Sequence, residues 1–274
     1  MSWRRIPTSA WIGLVLTFAF VFVAVFAPWI APYGLNQTVT DVWAPSSSDY
    51  WLGGDNLGRD LLSRMIYGAR TTMLIAALAS ALAFVSGAVL GFLAAVAGGW
   101  LDQVLSRLVD LVMAIPSLIL ALVVLSVVEA DVLTLVLVMG LVESTRVFRL
   151  ARAVAVDIGV MDFVEAARLR GERTAWIIFR EILPNALSPL VAEFGLRFIF
   201  AVLFLSSLSF LGLGVQPPAA DWGGMVRENK DGIVFGIGAG LYPAAAIAVL
   251  AISVNLVADW VLNRTTDLKG GRSG

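Results

Sequence analysis

The 274-residue sequence has no cysteine and no histidine. Without cysteine there are no disulfides, no thiolate nucleophile and no Cys-ligated zinc or iron–sulfur centre, and cysteine usage says nothing about redox compartment. Without histidine, His-based catalytic triads and His metal sites drop out too, and no metal site is expected. Lysine occurs only as Lys230, which follows Asn229, and Lys269, which follows Leu268. Neither can close a G-x-x-x-x-G-K-[ST] phosphate loop, so the chain carries no P-loop ATPase of its own. Charge is sparse as well, at 14% of residues and a net −1, which gives no reason to expect a nucleic-acid partner.

Apolar residues make up 59% of the chain, and mean hydropathy is +0.88. A soluble domain of this length runs nearer half apolar and a quarter charged, so the sequence predicts an integral membrane protein.

The first apolar run, Ala10 to Ala27, lies behind Arg4 and Arg5 and is bracketed by Trp11 and Trp29. It is too long for the apolar region of a cleaved signal and predicts a retained span, with the arginine pair as an orientation charge. An uncharged run from Met73 to Gly98 carries Gly87 and Gly91 at a spacing that permits close helix packing, although ordinary membrane-helix glycine reads the same way. Leu111 to Val128 contains Pro116. Val132 to Val142 is short and must extend through Glu143 and Arg146 toward the interface. Leu187 to Gly214 and Gly236 to Leu262 complete six spans. With the N-terminus inside, thirteen of the 19 basic residues fall in inside segments and five outside, with Arg197 inside a span, which predicts N-in/C-in topology.

Two outside segments look ordered. Residues 55–70 begin Asp55-Asn56-Leu57-Gly58-Arg59-Asp60 and continue with an apolar face that predicts a helix lying in the interface before the second span. Residues 212–240 are rich in Gly and Pro, with Pro217-Pro218 and Trp222-Gly223-Gly224, and predict a rigid loop.

The most informative stretch faces the other side. Asp162 to Asn185 reads DFVEAARLRGERTAWIIFREILPN. Asp162 and Glu165 have capping-box spacing, Gly171 ends a first short helix, Thr174 opens a second, and Pro184 is expected to stop it. The expected product is a two-helix knob whose small residues Ala166 and Ala167 are ringed by arginines. Such a knob suits docking into a partner's groove or simply caps the bundle.

Glu165-Ala166-Ala167, Gly171 and Ile182-Leu183-Pro184-Asn185 resemble the EAA motif of bacterial binding-protein-dependent ABC importer permeases. Leu52 to Arg70 and Ser209 to Met225 are similar to the matching regions of the dipeptide/oligopeptide/nickel type. The Gly-Val-Gln-Pro-Pro loop and the single span before Gly58-Arg59-Asp60 resemble its C-type subunit. The resemblance implies an all-α ABC type I importer permease fold: a single transmembrane domain over 1–274, with an N-terminal span plus external segment at 1–72. A core of five spans at 73–264 then carries the EAA loop at 149–190.

It further implies that Glu165, Ala166, Ala167, Arg168, Gly171, Pro184 and Asn185 form the ATPase-coupling segment. The implied partners are a B-type permease, two ATP-binding subunits that hold ATP and Mg, and an extracytoplasmic substrate-binding protein. The location is the bacterial inner membrane, the cargo is a peptide or peptide-like solute, and no cofactor and no enzyme activity belong to this chain. Nickel chelates and glutathione-like or sugar-linked solutes are alternative cargoes of the same class. Asp55, Gly58, Arg59, Asp60, Gln216, Pro217 and Trp222 are candidates for external docking or gating.

Glu193 and Arg197, at i,i+4 in the fifth span, depart from the family's mostly apolar pattern. They read as a self-neutralising structural pair near the cytoplasmic end, ahead of a pathway-lining pair. An ATP-independent secondary transporter or channel is the more distant alternative, and it lacks the internal repeat such proteins usually show.

Overall fold

A computed structural model describes residues 7–270; the basic residues Arg4, Arg5 and Arg272 lie outside the described residues. The fold is all-helical: α1 Thr8–Ile30, α2 Leu61–Ala97, α3 Gly99–Met113, α4 Ser117–Val127, α5 Val132–Gly159, α6 Asp162–Leu169, α7 Thr174–Trp176, α8 Leu183–Leu211, α9 Trp222–Asn229 and α10 Leu241–Gly270. Among the described residues, four helices are long and apolar enough to cross a membrane: α1, α2, Pro189–Leu211 of α8 and Gly238–Leu262 around α10. The pair α3–α4, bent by 83° at its break, raises the number to five.

The third apolar run is thus two helices rather than one. Pro116, the residue before α4, has no N–H to carry a helix through. The interface helix expected before the second span is not separate either. Asp60 caps a single 37-residue helix by accepting from the Ser63 amide at 2.7 Å, and no breaker follows until Gly98. At 1.5 Å per residue, α2 is about 55 Å long, so its first turns stand clear of a hydrocarbon core of about 30 Å.

The face of these first turns packs on protein. Ile66, Ala69 and Met73 are buried, and the Trp222 indole N–H donates to the Met65 carbonyl at 3.0 Å.

The seam between α2 and α5 is the most extensive in the molecule. Gly87 and Gly91 make it possible: a Cβ on Gly87 would sit 2.5 Å from the Ser144 carbonyl oxygen, and one on Gly91 would sit 2.7 Å from that of Phe148. The same contacts show that α2 and α5 run parallel, so α3–α4 returns between them. Along α1, Gly13 meets Ser253, Thr17 donates to the Ser253 hydroxyl at 3.3 Å, and Phe20 packs edge-on against Trp222. Hence α1 rises toward the loops at 31–60 and 212–240, while α10 descends beside it. The loops and α9 form a cap at one end; α6, α7 and the ends of α5 and α8 form the other.

Candidate functional site

At the end opposite the cap, α6 hangs between α5 and α8. Met161, not Asp162, occupies its N-cap position, and no side chain caps it; the expected capping box does not form because Asp162 is already the first helical residue. Its C-terminus is well closed. The Gly171 amide donates to the Arg168 carbonyl at 2.9 Å and the Glu172 amide to the Ala167 carbonyl at 3.2 Å, the Schellman pattern, with Gly171 at φ +80°.

Val164 and Ala167 are buried and seat the helix, whereas Glu165, Ala166, Arg168 and Gly171 are exposed, and Leu169 is 84% exposed. Arg170 lies over the Trp176 ring, 5.7 Å from its centroid.

The second helix does not stop at Pro184. A π-helical segment, Ile177–Ile182, joins α7 directly to α8, and the helix runs on through Pro184, which lies just past the π-helical turn and forgoes one backbone bond without ending it. Pro184 and Asn185 are exposed at that junction. Any displacement of α6 therefore reaches two long helices through connections of only a few residues.

In the cap, Asp55 is the organising residue. One carboxylate oxygen accepts from the Leu57 and Arg59 amides at 2.8 and 2.9 Å. The other meets Arg59 Nε at 2.7 Å and Arg64 Nη1 at 2.6 Å. Burial by itself would raise the Asp55 pKa, but those two amides and the two guanidinium charges outweigh it and hold the carboxyl below its usual range. Glu228 of α9 bridges the same two arginines, at 2.9 Å from Arg59 Nη2.

Asn229 Oδ1 accepts from the Asn56 amide at 2.9 Å and the Trp43 indole at 3.3 Å, which ties residues 31–60 to α9. Gly58, at φ +70°, sits so close to Thr40 that a Cβ would lie 2.2 Å from its carbonyl oxygen. Asp221 caps α9 by accepting from the Gly223 and Gly224 amides at 3.0 and 3.3 Å. Burial pushes its pKa up to about 6, against the pull of the Ser209 hydroxyl and those amides.

This geometry corrects part of the docking set. Gly58 is buried against Thr40, and Asp55, Arg59, Asp60 and Trp222 are buried and consumed by intramolecular bonds, so none of these five can meet a partner; Gln216 and Pro217 are exposed.

A second charge cluster joins α5 to α8. Arg197 Nε lies 2.7 Å from Glu193 Oε1, as the i,i+4 spacing suggested. Arg197 Nη1 also donates to Glu143 Oε2 at 3.0 Å, and Arg146 Nη1 donates to Glu143 Oε1 at 3.1 Å. Arg197 stacks over Phe200, 4.7 Å from its centroid.

The cluster is not near a helix end. Gly140 packs on Leu82, and Gly87 on Ser144 and Val147, while the Phe84 and Phe194 rings lie 5.5 Å apart. These contacts set the four charges level with Phe84 and Val85, midway along the uncharged run from Met73 to Ala97. Glu143 and Arg146 therefore do not snorkel to an interface; their partner on α8, Arg197, lies 54 residues from Glu143, too far for any local pattern to reveal. Further toward α6 on the same face of α5, Arg149 pairs with Asp110 at 2.6 Å and Arg152 with Asp102.

Together these features define a class: an all-helical, multi-pass membrane protein with buried charge at mid-depth, a cap locked by ion pairs and an exposed helical knob at the far end. Within that class the chain belongs to the family described as the binding-protein-dependent transport system inner membrane component, matched over residues 87–266. Residues 8–45 match the N-terminal TM domain of oligopeptide transport permease C.

Among curated relatives, it is 35% identical to the di/tripeptide transport system permease protein DppC of Pseudomonas aeruginosa, across 90% of this chain and 84% of the relative. It is 31% identical to the probable D,D-dipeptide transport system permease protein DdpC of Escherichia coli K12, across 94% and 87%. To the glutathione transport system permease protein GsiD of Pectobacterium atrosepticum the identity is 30%, with the same coverage. The inward-facing structure of the MetNI methionine ABC transporter shares its fold, with a TM-score of 0.58 at 18% identity over 73% of this chain and 95% of that one. The chain is thus a permease subunit of an ABC importer in the bacterial inner membrane, a transport component and not an enzyme.

Proposed function

We propose that this permease carries peptides of two or three residues, or a peptide-like solute of similar size, inward under ATP drive. Relatives named for di/tripeptide, D,D-dipeptide and glutathione transport support that cargo over the nickel or sugar-linked alternatives. In this reading a C-type chain pairs with a B-type permease, and an external binding protein delivers cargo to the exposed parts of the cap, including Gln216 and Pro217. Of two ATP-binding subunits, each with ATP and Mg, one docks on α6 of this chain through Glu165, Ala166, Arg168 and Gly171.

Six crossings with both termini inside fit the alternating directions of α1, α2, α3–α4, α5, α8 and α10. Helix α5 then counts as a crossing despite its charges, because it runs alongside α2 and pairs them with α3 and α8.

The observation that carries the reading is α6 itself. It is a helix with one buried edge and an outward face, placed where any push on it moves α5 and α8 together and can switch the path between its two open states. Because the chain lacks a phosphate loop, that push originates on another subunit.

The test is uptake into proteoliposomes holding the assembled transporter. Glu165→Arg, on the exposed face of α6, is expected to lower ATP-driven uptake at least tenfold. Gly171→Pro should do the same, since proline cannot adopt φ +80°. Neither residue contributes to the buried core, so assembly should persist. Uptake that continues without ATPase subunits would overturn the importer reading.

A further inference from the structure

Three members of the mid-depth cluster explain one another: Glu143, Glu193 and Arg197 are largely buried and mutually paired. Arg146 is different. Its side chain is 41% exposed on the outer surface of the chain, level with the middle of the uncharged run of α2. A guanidinium at that depth does not face hydrocarbon, so this side of α5 must be turned toward water or another polar surface.

Only Nη1 of Arg146 is hydrogen-bonded, at 3.1 and 3.3 Å from the two oxygens of Glu143, and the guanidinium lies 5.9 Å from the centroid of the Phe200 ring; Nε and Nη2 have no hydrogen-bond partner among the described residues. Beside it, the break between α3 and α4 opens a cavity of about 110 Å³, lined by Val112, Pro116, Ser117, Glu143, Thr145 and Arg146. That is room for several waters, or for one carboxylate and the carbon that bears it. Interrupted helices beside a polar pocket at mid-depth are where membrane transporters admit polar cargo.

We propose that Arg146 is a carboxylate-binding site of the translocation path and takes the C-terminal carboxylate of the peptide in transit. The proposal rests on the peptide-importer reading above and adds the group that is recognised. The free edge of the guanidinium offers two parallel donors, the geometry a carboxylate fills. When the cargo draws Arg146 away, Glu143 keeps Arg197 at 3.0 Å, so no buried anion is stranded and the exchange is reversible. A conducting site must bind well enough to admit its cargo and weakly enough to release it, and a cation already shared with one carboxylate meets both demands.

The experiment uses the complete transporter with its binding protein in proteoliposomes, and two probes, alanyl-alanine and its C-terminal amide, each at a concentration that saturates the binding protein. Arg146→Gln is expected to lower uptake of the free acid at least tenfold, while binding-protein-stimulated ATP hydrolysis stays within twofold of the parent. Arg146→Lys should restore at least a third of that uptake. The amide should move slowly in the parent and no more slowly in Arg146→Gln.

Unchanged uptake of the free acid in Arg146→Gln overturns the proposal. So does an equal loss for acid and amide. Failure of the complex to assemble, or loss of stimulated hydrolysis together with uptake, overturns it in favour of a packing contact with the second permease. A parent transporter that moves no alanyl-alanine under ATP instead overturns the functional reading beneath it.

Discussion

The chain holds two clusters of identical composition, each two arginines and two carboxylates, and they are built differently. In the cap, Arg64 is 1% exposed and Asp55 fully buried, and Asp55 adds two backbone amides to its two guanidinium partners. The mid-depth cluster has only side-chain partners for its carboxylates, and its outermost cation is two-fifths exposed. A closed, over-determined cluster fastens residues 31–60 and α9 onto the start of α2. A cluster with one open member, lodged where the membrane tolerates no idle charge, keeps a bonding position free. Equal charge counts therefore do not mean equal roles; what separates them is how many of the donors and acceptors are already used.

The sharpest way to break this comparison is to remove one cation from each. Arg64→Met leaves Asp55 and Glu228 to share Arg59 in a buried site, which is expected to cost about 3–5 kcal/mol of stability. Arg146→Met, at a half-exposed pair, should cost less than about 1 kcal/mol. Thermal unfolding followed by tryptophan emission reads both, because Trp43 and Trp222 sit inside the cap. Equal losses for the two variants would erase the distinction.

A smaller effect sharpens the cap's side of it. Asp221 has a folded pKa of about 6, above the usual 3.8. The folded state therefore holds its proton where the unfolded chain releases it. This contribution is fully present below about pH 4, is lost as pH rises toward 6 and is constant above, a change of about 2–3 kcal/mol. The stability of the parent relative to Asp221→Asn should fall over that interval when melting is measured from pH 4 to pH 7. A difference that stays flat, or rises, contradicts the burial argument.

How much of this was legible in the sequence follows the range of the interactions. That α1 and α10 are spans could be read because long, apolar, nearly uncharged runs must cross, although α10, Leu241–Gly270, begins and ends later than the expected run from Gly236 to Leu262. The turn at Gly171 was legible because it is local. Four features were not.

The first turns of α2 looked like an interface helix because the apolar face is real, but Trp222, which covers it, lies some 150 residues downstream. Pro184 looked like a stop, but the helix runs through it, and the π-helical run before it has no simple sequence pattern. Glu193 and Arg197 looked self-sufficient at i,i+4, whereas Glu143, 54 residues earlier, completes their network. The available signal was a glutamate in the weakest of the apolar runs, three residues before an arginine. The buried docking candidates failed for the same reason: Asp55 and Arg59 read as exposed loop residues until Glu228 and Asn229 fold over them.

The central claim is that the mid-depth cluster opens on the aqueous path along which cargo moves, while the cap cluster is sealed. The chain has no native cysteine, so Arg146→Cys and the near-isosteric cap control Ser63→Cys can be compared in a transporter whose partner subunits are also cysteine-free. Only a hydrated thiol ionises and reacts with a charged, membrane-impermeant thiosulfonate. The account predicts labelling of Cys at position 146 during ATP turnover, slowed by saturating alanyl-alanine, and no labelling at position 63. A thiol at 146 that stays inert in every nucleotide state would contradict it.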